Sequence, residues 1–163
     1  MTRVCLVGTE GTNLQYELLS RETARDALAA YDLKEPYGNT VAVETVSLGA
    51  AVALLNDLDW YLVRFVEECF VLEPSVSETE WLSRDLATAI RNDDIAPEDT
   101  GRFLRVYGVE YPDTDDEAGP TDELPQLVEP MLVTRTDEQI PEYDLRDVDE
   151  TLLIRVTEAE FGA

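Results

Sequence analysis

The sequence predicts an α+β domain, a small sheet with helices packed mainly on one of its faces. Three observations lead there. Strand-like apolar runs stand near both ends (residues 3–7, 131–134 and 151–156), helical periodicity fills the middle, and no internal repeat or shift in composition divides the 163 residues. That order belongs to segregated layers rather than to alternating βαβ units. A domain of this length buries roughly 68–70% of its unfolded surface, and 44% hydrophobic residues are enough to fill a core.

Residues 3–7 (RVCLV) read as a buried strand. Leu14, Tyr16 and Leu18 alternate with Gln15 and Glu17, which predicts a second strand closing a hairpin over the GTEGT turn; a helix starting near Asn13 is the competing reading. Residues 21–31 carry helix formers, among them four alanines. Pro36 and Gly38 make residues 34–39 (KEPYGN) a turn. The β-branched alternation of residues 41–46 predicts a strand.

The longest element is predicted as one amphipathic helix over residues 48–70. Asn56, Asp57, Arg64, Glu67 and Glu68 fall on one arc, and Leu48, Ala51, Val52, Leu55, Leu58, Leu62, Phe65, Val66 and Cys69 on the other. The stretch WYLVRF is rich in strand formers, so residues 60–66 remain open between helix and strand. Ser77 and Glu80 form a capping-box pattern ahead of a helix with Leu82, Leu86, Ala89 and Ile90 as its stripe. Pro97 suits the first turn of a further helix carried by Phe103, Leu104 and Tyr107 and stopped by Gly108. Residues 111–125, rich in acids and prolines, read as a mobile acidic loop, and two closing strands follow it.

Charge sets the chemical limits. The chain holds 36 acidic and 12 basic residues, no histidine, and a net charge of −24; Lys34 is the sole lysine among eleven arginines. The acids are spread from Glu10 to Glu160 instead of forming a tail. Such a surface repels itself where the Debye length is about 10 Å, at 0.1 M salt, and is screened at molar salt, where it falls to about 3 Å. A halophilic protein of a salt-loaded cytoplasm is the simplest reading, which makes the acidity a solvent adaptation and weak evidence about partners.

Catalytic machinery is hard to assemble from these residues. Without histidine the usual base for a serine or cysteine nucleophile is missing, and Cys5 and Cys69 lie in apolar runs as inert thiols. Two cysteines and no histidine cannot complete a zinc site, and the DTDDE stretch lacks the glycine and the final glutamate of a calcium loop, so neither a metal nor a cofactor is expected. The arginines form no basic stripe, which argues against nucleic acid. The charges within residues 48–70 argue against a membrane span, and residues 1–3 lead directly into a strand with no signal-peptide core, so a cytoplasmic location is expected. The VGTEGTN loop lacks the spacing of a phosphate cradle and places Glu10 where the anion would sit.

The stretches NLQYELLSRETARDALAAYDL, SLGAAVALLNDLDWYLVRF and FVLEPSVSETEWLSRDLATAIRN together resemble a haloarchaeal protein family, a domain of unknown function. The likeness spans most of the chain, with residues 111–125 as a variable loop. It implies a halophilic setting and assigns no site residue.

The expected function is therefore non-enzymatic: an adaptor or regulatory subunit acting through contacts with a protein partner or with further copies of itself. On a single helix Trp60 falls in the polar arc with Tyr61 at its edge and Arg64 one turn on, the tryptophan–arginine pairing enriched at binding hot spots. A break at Asp59, or a strand at WYLVRF, places Trp60 in the core instead, and the composition favours that outcome. The alternative function is a small-ligand or nucleotide site built from the loops at 8–13 and 34–39, with Gly8, Gly11, Thr12, Lys34 and Tyr37 as its residues.

Overall fold

The computed structural model describes residues 1–111, 124–137, 139–145 and 147–162. Strands β1 (Thr2–Gly8), β2 (Thr40–Thr45), β3 (Val66–Leu72), β4 (Trp81–Ser83), β5 (Phe103–Glu110), β6 (Gln126–Thr134) and β7 (Glu150–Arg155) form one sheet in the order β2-β1-β3-β4-β7-β5-β6. Every neighbouring pair is antiparallel except β4 with β7. Among the described residues six helices accompany it: α1 (Leu14–Leu19), α2 (Glu22–Leu28), α3 (Leu48–Asp57), α4 (Asp59–Phe65), α5 (Arg84–Arg91) and α6 (Glu158–Phe161). The fold is α+β, as predicted. Most of the segment read as an acidic loop, residues 112–123, lies outside the described residues.

Period-two alternation divides the core. Val4, Leu6, Val41, Val43, Val71 and Leu82 point to the face that α1 to α5 cover, with Leu14, Leu18, Leu55, Leu58 and Leu86 packed on them. The alternate residues Cys5, Phe70, Trp81, Tyr107 and Ile154 meet on the opposite face, which α6 joins through Phe161. The sheet curls about this second cluster. Gly38, beside the β2 edge, donates its N–H to the Pro125 carbonyl next to β6, at the other end of the strand order (2.8 Å). A Cβ at Gly38 would lie 2.1 Å from the Gln126 side-chain nitrogen, so a larger residue there would have to displace that exposed side chain. A third cluster, Leu104, Val106 and Val133, is covered by Ile140 and Tyr143.

Several predicted elements are corrected. Residues 14–18 form a helix, because Leu14 and Leu18, four apart, are both fully buried while Tyr16 stays exposed. Asn13 caps that helix by accepting from the Tyr16 N–H. The long helix over 48–70 is two short helices and a strand. The chain leaves helical geometry at Leu58 (φ −92°, ψ 2°), restarts at Asp59, and extends from Val66. Ser77 does accept from the Glu80 N–H, but it closes a turn; strand β4 follows, and Ser83 is the real cap of α5. Pro97 opens only a 3-10 turn, and residues 103–108 belong to β5, held between β6 and β7.

Candidate functional site

Helix α4 presents its polar side on a surface where arginine and tryptophan meet. The Arg64 guanidinium carbon lies 3.7 Å from the Trp60 ring centroid, and Arg64 Nη1 donates to the Trp60 carbonyl at 2.9 Å. Arg21, at the N-terminus of α2, approaches the same ring at 5.6 Å and the Phe65 ring at 5.0 Å. It also pairs with Glu17 on α1 (3.3 Å). Trp60 remains 48% exposed and neighbouring Val63 74%.

The break at Asp59 is real, yet it does not bury Trp60. It turns Tyr61 and Leu62 inward instead, so Tyr61, expected at the edge of the polar arc, is a core residue that meets Trp60 edge-on (ring centroids 5.0 Å apart). Arg21 was missed from sequence, because it reaches the ring from a different helix. A cation–π contact at an exposed site is worth about 0.5–1 kcal/mol. The fold gains little from holding Trp60 there.

The loops at 8–13 and 34–39 do meet, through a residue the sequence did not single out. Asn39, at φ 56°, accepts the Gly8 N–H on its carbonyl (2.8 Å), donates Nδ2 to the Thr9 carbonyl (3.1 Å) and accepts the Leu14 N–H on Oδ1 (2.9 Å). Gly8 is tight against it: an added Cβ would lie 2.6 Å from Asn39 Nδ2. Gly11, at φ 81°, and Thr12 line an open cleft of about 860 Å³ with Tyr16, Glu35 and Asn39.

This cleft is poorly suited to phosphate. Helix α1 is six residues long, and two of its leading N–H groups already bond Asn39 and Asn13. Lys34 is not in the cleft; it pairs with Ala42 along the β2 edge and lines a separate cavity with Arg3 and Tyr31. Tyr37 packs against the inner sheet cluster instead, where burial pushes its hydroxyl pKa up. The structure thus joins Gly8, Gly11 and Thr12 and leaves Lys34 and Tyr37 apart from them.

The inner face holds one polar group of note. Glu68 on β3 accepts from Arg105 Nη1 and from the Tyr107 hydroxyl (3.2 Å), both on β5. Burial raises the Glu68 pKa, and the Arg105 charge and hydrogen bond offset only part of that rise. Burial also pushes the Cys5 thiol up to about 12 and Cys69 above its ordinary range, so neither is a ready thiolate. Among the described residues no group of three potential ligands is placed to hold a metal ion, and no helix is long and apolar enough to cross a membrane.

These features define a class: an α+β domain with a curled mixed sheet, helices mainly over one face, and an arginine-stacked tryptophan at the surface. The chain belongs to a family of unknown function (DUF5804), whose family model matches residues 2–109. The match takes in Trp60, Arg64, Arg21 and both cleft loops, and stops within β5. No curated protein and no solved structure matches the chain.

Proposed function

We propose that this chain is a non-enzymatic, salt-adapted cytoplasmic protein that works by binding a partner protein through the Trp60–Arg64–Arg21 surface. The observation that carries the reading is Trp60 itself, 48% exposed beneath a guanidinium 3.7 Å away. A large indole left half in water costs about 25 cal/mol for each Å² of apolar area not buried, and a partner that covers it recovers that energy. The net charge of −24 with a single lysine supports a salt-loaded cytoplasm and fits a haloarchaeal source. Arg21 is paired with Glu17, so Arg64 is the patch arginine without an ion pair among the described residues, and it suits a partner that brings a carboxylate to the indole. Affinity capture from a native high-salt lysate tests the reading. Wild-type protein should retain a stoichiometric partner that Trp60→Ala and Arg64→Glu both lose; retention by both variants rejects the surface.

A second reading rests on the cleft lined by Gly11, Thr12, Tyr16, Glu35 and Asn39. Among the described residues Glu35 is the one charged group of its lining, so a small neutral or cationic ligand suits it better than a nucleotide. Native mass spectrometry of freshly isolated protein distinguishes the two: a co-purifying small molecule lost in Thr12→Tyr supports the cleft.

A further inference from the structure

Among the described residues, a second group of arginines gathers elsewhere. Arg135, just after β6, donates Nη2 to both Glu80 carboxylate oxygens at 2.7 Å. Arg155 at the end of β7 donates Nε to Glu80 Oε1 at 2.9 Å and Nη1 to the Thr100 hydroxyl at 3.0 Å. All three charged side chains are largely buried, between 13% and 20% exposed. Burial works against the Glu80 carboxylate, but the Arg135 and Arg155 hydrogen bonds outweigh it and hold its pKa below the ordinary value. Among the described residues, two guanidiniums on one ionised carboxylate leave one positive charge in excess within the buried cluster.

Above them opens a cavity of about 560 Å³, and Arg102 joins its wall. Arg102 makes no ion pair among the described residues; its guanidinium carbon rests 5.2 Å from the Phe103 ring. Gly101, at φ 115°, keeps the arginines open to the cavity, because a Cβ there would lie 3.0 Å from Arg135 Nη1 and 3.4 Å from Arg155 Cζ. Glu98, Asp99 and Asp137 also line the cavity, but all three are exposed. Arg102 is exposed as well; at molar salt the Debye length is about 3 Å, so the rim charges of both signs are screened, while the excess of Arg135 and Arg155 over Glu80 lies largely out of water.

We propose that Arg102, Arg135 and Arg155, set by Glu80, Thr100 and Gly101, form a binding site for the oxyanion group of a small acidic molecule. Guanidinium donors suit such a group, since they bind carboxylate and phosphate oxygens through paired N–H bonds and stay charged at all relevant pH. The site is independent of the Trp60 surface.

Calorimetric titration in molar potassium chloride tests it, with inorganic phosphate and acetate as separate probes. At least one probe should bind saturably at one site per chain, and which of them does so tells a phosphate site from a carboxylate site. Arg102→Gln should weaken that binding at least about tenfold, the loss of one charge-assisted contact, with unfolding unchanged because Arg102 is exposed and holds no ion pair among the described residues. Saturation by neither probe, or equal affinity in wild type and Arg102→Gln, overturns the proposal.

Discussion

The arginines of the Trp60 patch and those around Glu80 use the same side chain for opposite ends. Arg64 and Arg21 lie across aromatic rings at the surface, and Arg21 pairs with a Glu17 that is itself partly exposed. Arg135 and Arg155 converge on one largely buried carboxylate and tie β4, β7 and the end of β6 together. The first arrangement is worth little to the fold and leaves the indole half exposed. The second is a fixed part of the fold, and removing either sign of charge strands the other out of water. The family match over residues 2–109 contains the whole Trp60 patch and, of the second cluster and its cavity, Glu80, Thr100, Gly101 and Arg102, while Arg135 and Arg155 lie beyond it.

The largest effect expected acts on the whole molecule. With net charge −24, lowering salt from molar to dilute buffer should abolish cooperative folding, followed by circular dichroism. An equally stable fold in dilute buffer would remove the salt-adaptation reading. It would also remove the argument that the rim acids around the Glu80 cluster are screened.

Breaking the buried cluster comes next. Glu80→Ala should cost about 3 kcal/mol in denaturant unfolding at molar salt, because two guanidiniums lose their carboxylate. A cost below about 1 kcal/mol would place Glu80 with the surface pairs and erase the contrast.

The two inner carboxylates should also carry opposite pH signatures. Glu80 has a depressed folded pKa, so its contribution is fully present above the unfolded glutamate value of about 4.3 and is lost as pH falls through the folded pKa. Glu68 has a raised folded pKa, so the folded state binds the proton more tightly and its contribution grows as pH falls through that value toward the unfolded one. Unfolding across acid pH, comparing wild type with Glu80→Gln and with Glu68→Gln, should give difference curves of opposite slope. Parallel curves would contradict the assignment.

How much of this was legible in the sequence depends on how far apart the partners lie. Strand β2 followed from local alternation, β1, β7 and the second half of β6 from short apolar runs, and the α+β class from their placement. Residues 14–18 were ambiguous because Leu14, Tyr16 and Leu18 fit a period of two as well as Leu14 and Leu18 fit one helical turn; burial decided for the helix. Residues 66–70 and 103–108 have helical apolar spacing yet become strands, because β1 and β7 stand ready to pair with them. No local pattern carries that information. Glu68 and Arg105 are 37 residues apart, and Glu80 lies 55 and 75 residues from its two arginines, so neither cluster leaves a motif. Trp60 and Arg64, one helical turn apart, could be read together; Arg21 could not.

The smallest effect expected is the most direct test of the account's central claim, that Trp60 is held for contact and not for packing. Equilibrium unfolding of Trp60→Ala in molar salt should show a loss of no more than about 1 kcal/mol, the worth of an exposed cation–π stack and its edge-on ring contacts. A loss of about 3–5 kcal/mol, as truncation of a core tryptophan gives, would contradict it.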